Sequence, residues 1–114
     1  MSAKTIEELV QELNIIVSEI CKIAKFEKNI ISQLKRSSTS IGANKAEAKF
    51  SESRADFIHK MGIALKECSE TIYWIDTLYS ANAIDCDLYK RARNISGIIE
   101  KKLIASIKTA RSKL

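Results

Sequence analysis

His59 is the only histidine in the chain, and it stands three residues after Asp56, a spacing that puts both side chains on one face of a helix. Half of a di-iron carboxylate site has this form. A complete one takes two histidines and four carboxylates projecting into a bundle, which a single histidine cannot complete. With no helper motif it builds neither a Ser-His-Asp nor a Cys-His arrangement, so His59 is expected at the surface or a boundary. Cys21, Cys68 and Cys86 are odd in number, widely spaced and without a CxxC pair. That pattern argues against zinc and redox chemistry and for reduced thiols acting as small apolar filler in a cytosolic protein. Glu47, Glu67 and Glu70 do not by themselves specify a reaction. Pairing with the polar residues around Ser40 and Asn44, or with Lys45 and Lys66, accounts for them. Gly42 sits alone in a helical stretch, with no phosphate-cradling loop around it, and is expected to allow close helix approach. No catalytic, metal or cofactor site is predicted.

The basic residues carry more. The net charge of +5 is distributed as −2 over residues 1–24, +4 over 25–49, −4 over 50–87 and +7 from 88 onward. At about 100° per residue, Lys90, Lys101 and Lys108 fall nearly on one line of a helix, flanked by Arg93 and Arg111. Lys25, Lys28, Lys35 and Arg36 form a second solvent-side cluster. Clustered lysine and arginine bind phosphates by releasing condensed counterions, with steep salt dependence and little sequence preference. The competing reading is a solvated helix face whose C-terminal cations complement the helix dipole. Trp74 and Tyr73 could stack on bases, although aromatics beside a core stripe more often form core edge or subunit interface.

Four helices must position these groups. The chain has 114 residues, no proline and three glycines, a composition that leaves helices uninterrupted and lacks the turn residues an all-β fold needs. Thr5 and Glu8 form a capping box ahead of a helix over about 5–24, with its stripe on Ile6, Leu9, Leu13, Ile16, Ile20 and Ile23. Val10, Val17 and Cys21 widen that stripe towards a second neighbour. A helix over about 27–48 carries Ile30, Ile31, Leu34, Ser38 and Ile41 inward. Beside them Gln33, Ser37, Ser40, Asn44 and Glu47 make a polar line, half-buried and therefore expected to bond to a neighbouring helix. Ser51 or Ser53 caps a third helix over about 53–79, on Phe57, Met61, Ala64, Cys68, Ile72, Ile75 and Leu78. Asp85 caps a fourth over about 87–112, on Leu88, Ala92, Ile95, Ile99, Leu103, Ile107 and Ala110. Short links make neighbours antiparallel, so the prediction is an all-α, up-down-up-down four-helix bundle in one domain, 1–114. No basic leader precedes an apolar segment and no apolar run spans a bilayer, which points to a soluble, cytoplasmic protein.

The run Gln33, Ser37, Ser40-Ile41, Asn44, Ala46-Glu47, followed by Asp56-Phe57, Ile63-Ala64 and Glu70, resembles the bacterial four-helix bundle proteins first noticed in intervening sequences of large-subunit ribosomal RNA genes. The accessory variability protein of diversity-generating retroelements is similar to the same group. The sequence departs from the common pattern where Asn-Ile-Ala-Glu-Gly reads Asn44-Lys45-Ala46-Glu47-Ala48, and near Lys66-Glu67. The resemblance implies an up-down bundle assembling as a homopentamer. In the retroelement relative it also implies a basic surface for nucleic acid and a reverse transcriptase partner. Two expectations follow. One is a non-catalytic accessory protein contacting RNA or DNA phosphates through Lys90, Arg93, Lys101, Lys108, Arg111, Lys35 and Arg36. The other is a protein-interaction scaffold that docks a partner through apolar residues outside the bundle, with Trp74, Tyr73 and Val17 as candidates.

Overall fold

The computed structural model describes residues 3–114. Thr5 opens α1 (Ile6–Ile23). Its hydroxyl accepts from the Glu8 amide at 3.1 Å, while the Glu8 carboxylate accepts from the Thr5 amide at 3.0 Å. Two otherwise orphaned donors are thereby satisfied. α2 (Lys28–Ala48) starts behind Glu27 without a side-chain cap bond. Of the two serines open for α3 (Arg54–Ser80), Ser53 is the cap, accepting from the Asp56 amide at 3.0 Å. Ser51 instead donates to the Ala48 carbonyl at 2.6 Å. Asp85 caps α4 (Cys86–Ser112) through the Leu88 amide at 2.8 Å. Each helix end falls within one residue of its predicted place.

Neither glycine nor proline ends α3. Asn82 takes that role, in the left-handed region at φ 58°. The Ala83 amide reaches back to the Leu78 carbonyl at 2.8 Å and the Asn82 amide to the Tyr79 carbonyl at 3.0 Å. These two bonds are a Schellman closure, which asparagine tolerates better than other residues with a side chain. Ile84 then tucks back into the core at 6% exposure, fixing the angle at which α4 departs.

α1 packs on α2 and α4, and α3 packs on α2 and α4, whereas the backbones of the diagonal pairs stay further apart among the described residues. This is the up-down-up-down bundle. Its axis is filled by Leu13, Ile20, Leu34, Ile41, Met61, Ile75, Ile99 and Leu103, all fully buried. Each contributes about 1.5–3 kcal/mol by leaving water. A Cβ on Gly42 would meet Val10 Cγ1 at 3.0 Å, so the glycine does allow α1 and α2 to approach closely. Three expectations need correction. Ile23 is 58% exposed, because it is the last residue of α1 and lies beyond the packed length of the stripe. Val17 is 2% exposed and so cannot serve as an outside docking residue. Cys86 is an exposed thiol at the first position of α4, whereas Cys68 is fully buried filler, its thiol pushed up to about 12 by burial. No described helix is long and apolar enough to cross a membrane.

Candidate nucleic-acid interface

The uneven charge has a structural use at every seam of the bundle. Between α1 and α2, Lys45 Nζ lies 3.0 Å and Lys49 Nζ 3.3 Å from a Glu7 carboxylate oxygen. The Lys45 hydrogen bond, with help from Lys49, holds the Glu7 carboxyl below its ordinary 4.5. Between α2 and α3, the Arg36 guanidinium grips Glu67 with two bonds of 3.1 and 3.2 Å and also contacts Glu70. Gln33 Oε1 accepts from Arg36 Nε at 3.1 Å and holds the fork in place. Between α3 and α4, Arg93 Nε donates to Asp76 at 3.1 Å, beside a Tyr89 hydroxyl donating to the same oxygen at 2.9 Å. Between α4 and α1, Arg91 meets Glu19 with two bonds of 3.3 Å. At all four seams the base comes from α2 or α4 and the acid from α1 or α3. Alternating sign along the sequence thus becomes opposite sign across each contact.

The polar line of α2 is resolved residue by residue. Ser37 is fully buried; its hydroxyl donates to the Leu34 carbonyl at 3.1 Å and accepts from Thr71 of α3 at 2.8 Å. Gln33 reaches α3 only through Arg36. Asn44 turns back to the Ser40 carbonyl of its own helix at 2.8 Å. Glu47 is exposed, and Glu70 belongs to the Arg36 cluster rather than to Lys66 or Lys45. The line therefore bonds across the seam at its upper half only.

Two of the seven cations expected to meet phosphate, Arg36 and Arg93, are engaged with acids. Their long side chains cross the seam, which the angular position on their own helix does not reveal. The other five point outward. Lys90, Lys101, Lys108 and Arg111 are exposed on α4, and Lys35 is exposed on α2. None of the five has an ion pair among the described residues. Because α2 and α4 occupy diagonal corners, Lys35 does not join the α4 line within one subunit. From Lys90 to Lys108 the helix rises about 27 Å, the length of about eight base steps at 3.4 Å each.

The aromatic residues divide differently. Tyr73 is 61% exposed, and its ring meets Trp74 edge-on at 4.9 Å. Trp74 packs on the core with its indole N–H buried and unpaired. Tyr79 stacks on Tyr89 at 4.0 Å, a pair that helix periodicity does not single out. His59 is exposed, while Asp56 is engaged with Lys60 at 3.5 Å. No group of three or more His, Cys, Asp or Glu able to hold a metal ion forms among the described residues.

Residues 4–105 match the profile of the 23S rRNA-intervening sequence proteins. The fold is similar to that in a crystal structure of a protein with unknown function from the S23 ribosomal protein family of Bacteroides thetaiotaomicron. The TM-score is 0.86 at 38% identity, over 91% of this chain and 99% of that one. No curated protein matches this chain significantly.

Proposed function

Because this chain belongs to the family of 23S rRNA-intervening sequence proteins, we propose that it is a non-catalytic, cytoplasmic accessory protein that contacts RNA or DNA phosphates through the outer face of α4. The observation that carries this reading is the line of Lys90, Lys101 and Lys108, continued by Arg111. All four side chains are exposed, and none has an acid partner among the described residues. Structural demand for cations is met at the seams by Lys45, Arg36, Arg93 and Arg91. The three outward lysines therefore remain unexplained by stability, while Arg111, in the last turn of α4, also complements the helix dipole. The four carry neither a base-reading fork nor a shaped pocket, so the expected binding tracks phosphate spacing rather than sequence.

Assembly as a homo-oligomer, five copies on the family resemblance, repeats this line on every subunit and turns weak contacts into avidity. Exposed apolar residues beside the line, Ile104 at 48% and Ile98 at 37%, and Ile15 at 63% on α1, are surface that such an assembly would cover. A reverse transcriptase is the protein partner that the resemblance brings forward. Binding of an RNA and a duplex DNA, each at two salt concentrations, tests the reading. Affinity at low salt that falls steeply at high salt supports it; absent or salt-insensitive binding removes it.

A further inference from the structure

The four helices differ in length, and the difference leaves one corner of the bundle open. α1 spans 18 residues and α4 spans 27. The Arg91–Glu19 contact fixes their antiparallel register. Thirteen positions back along α1 and thirteen forward along α4, Ile6 lies level with Ile104. The last eight residues of α4, about 12 Å or two helical turns, thus run past the start of α1 with no helix against that flank among the described residues. A groove of about 640 Å³ lies there, lined among others by Arg54 and Phe57 of α3, Ala105, Thr109 and Ala110 of α4, and Lys113. Its floor is mainly apolar, through Phe57, Ala105 and Ala110, with the Ser106 and Thr109 side chains among them. Its two rim cations, Arg54 and Lys113, are exposed and have no ion pair among the described residues.

The same corridor shows, one level up, what fits it. There the occupant is α1, an amphipathic acidic helix with Leu9, Leu13, Ile16 and Ile20 turned inward. α1 also reaches a base on each neighbour, Glu19 to Arg91 of α4 and Glu7 to Lys45 of α2. The vacant corner offers the same two features, apolar floor and unanswered cations, without the helix. We infer that this groove docks a short amphipathic acidic helix of a partner protein, whose apolar stripe covers Phe57, Ala105 and Ala110 and whose carboxylates meet Arg54 and Lys113. Continuity with the α1 corridor and complementarity of charge select this occupant. A phosphate backbone would leave the apolar floor unfilled. The groove lies on a different flank of α4 from the lysine line, so this inference does not rest on the proposed nucleic-acid role.

The test uses the full chain, isotope-labelled, and a lactam-stapled helical peptide of about four turns, with leucines at i, i+4 and i+7 and glutamates beside them. A twin peptide carries lysine in place of every glutamate. Amide shifts at Ala105, Thr109 and Ala110 on adding the glutamate peptide, absent with its twin, are expected. Arg54→Glu/Lys113→Glu should weaken binding about tenfold or more, a loss of about 1.4 kcal/mol. Ala105→Trp, which fills the groove from its exposed side, should abolish binding while leaving the circular dichroism spectrum unchanged. The inference is overturned if no binding is seen at millimolar peptide, if both peptides bind alike, or if the shifts fall elsewhere. It is also overturned if a single-stranded RNA displaces the peptide from these amides, which would assign the cations to nucleic acid.

Discussion

Replacing Lys101 and Lys108 together by alanine removes two of the four outward cations of α4 and leaves every seam contact in place. Each phosphate neutralised on duplex DNA adds about 0.9 to the slope of log affinity against log salt. Four contacts, from Lys90, Lys101, Lys108 and Arg111, give a slope of about −3.6 per subunit surface and a loss of about 150-fold between 50 and 200 mM salt. The double variant keeps two contacts. Its slope falls to about −1.8 and its loss over the same range to about twelvefold. Arg93→Ala is the matched control, because Arg93 is bonded to Asp76 at 3.1 Å and is not counted among the free cations. It should leave the slope unchanged. Fluorescence anisotropy with a labelled duplex at four salt concentrations measures all three proteins. An unchanged slope in the double variant, or an equal drop in Arg93→Ala, would refute the assignment of phosphate contacts to the outward line.

Asn82→Ala should cost about 1 kcal/mol by chemical denaturation, since alanine at φ 58° lacks the local bonding that lets asparagine tolerate that region, while Asn82→Gly should cost nothing. Thr71→Val should cost about 1 kcal/mol, since it removes the hydroxyl shared between Ser37 and the Glu67 carbonyl, while Ser37 keeps its own bond to the Leu34 carbonyl. The depressed Glu7 carboxyl contributes stability above its unfolded value of 4.5, and that contribution is lost as pH falls through the lower folded value. Lys45→Met should therefore reduce the acid sensitivity of the melting temperature below pH 4.5. With Ellman's reagent near pH 8, Cys86 should react first and Cys21 more slowly. Cys68, at about 12, should react only on unfolding.

Helix positions were legible because the core is a set of stripes at steps of three and four. A stripe is a property of one helix, read without knowing its neighbours. The same holds for Thr5, Asp85 and Gly42, whose roles depend on residues a few positions away or on the absence of a side chain. Contacts between helices were less accessible. Arg36 has its partners 31 and 34 residues away, and its position on α2 gives no hint that its guanidinium turns sideways to Glu67 and Glu70. Thr71 lies in the buried seam of α3 although its type is polar; its hydroxyl is satisfied by the Glu67 carbonyl of its own helix and by the facing Ser37, and the second partner is one that the α3 sequence does not reveal. Asn82 ends a helix in a link that has neither glycine nor proline. One signal did bear on the seams: the sign of net charge alternates along the four sequence segments that hold the helices, −2, +4, −4 and +7, as it must if sequence neighbours are to attract across each contact. That alternation identifies the pairing helices and leaves the pairing residues open.

The most direct measurement is a lysine footprint. Brief acetylation with and without bound RNA, read by mass spectrometry, reports each ammonium separately. Protection confined to Lys90, Lys101 and Lys108, with Lys60 and Lys66 of α3 reacting equally in both samples, is the predicted result. RNA binding that leaves those three lysines as reactive as before would contradict the account.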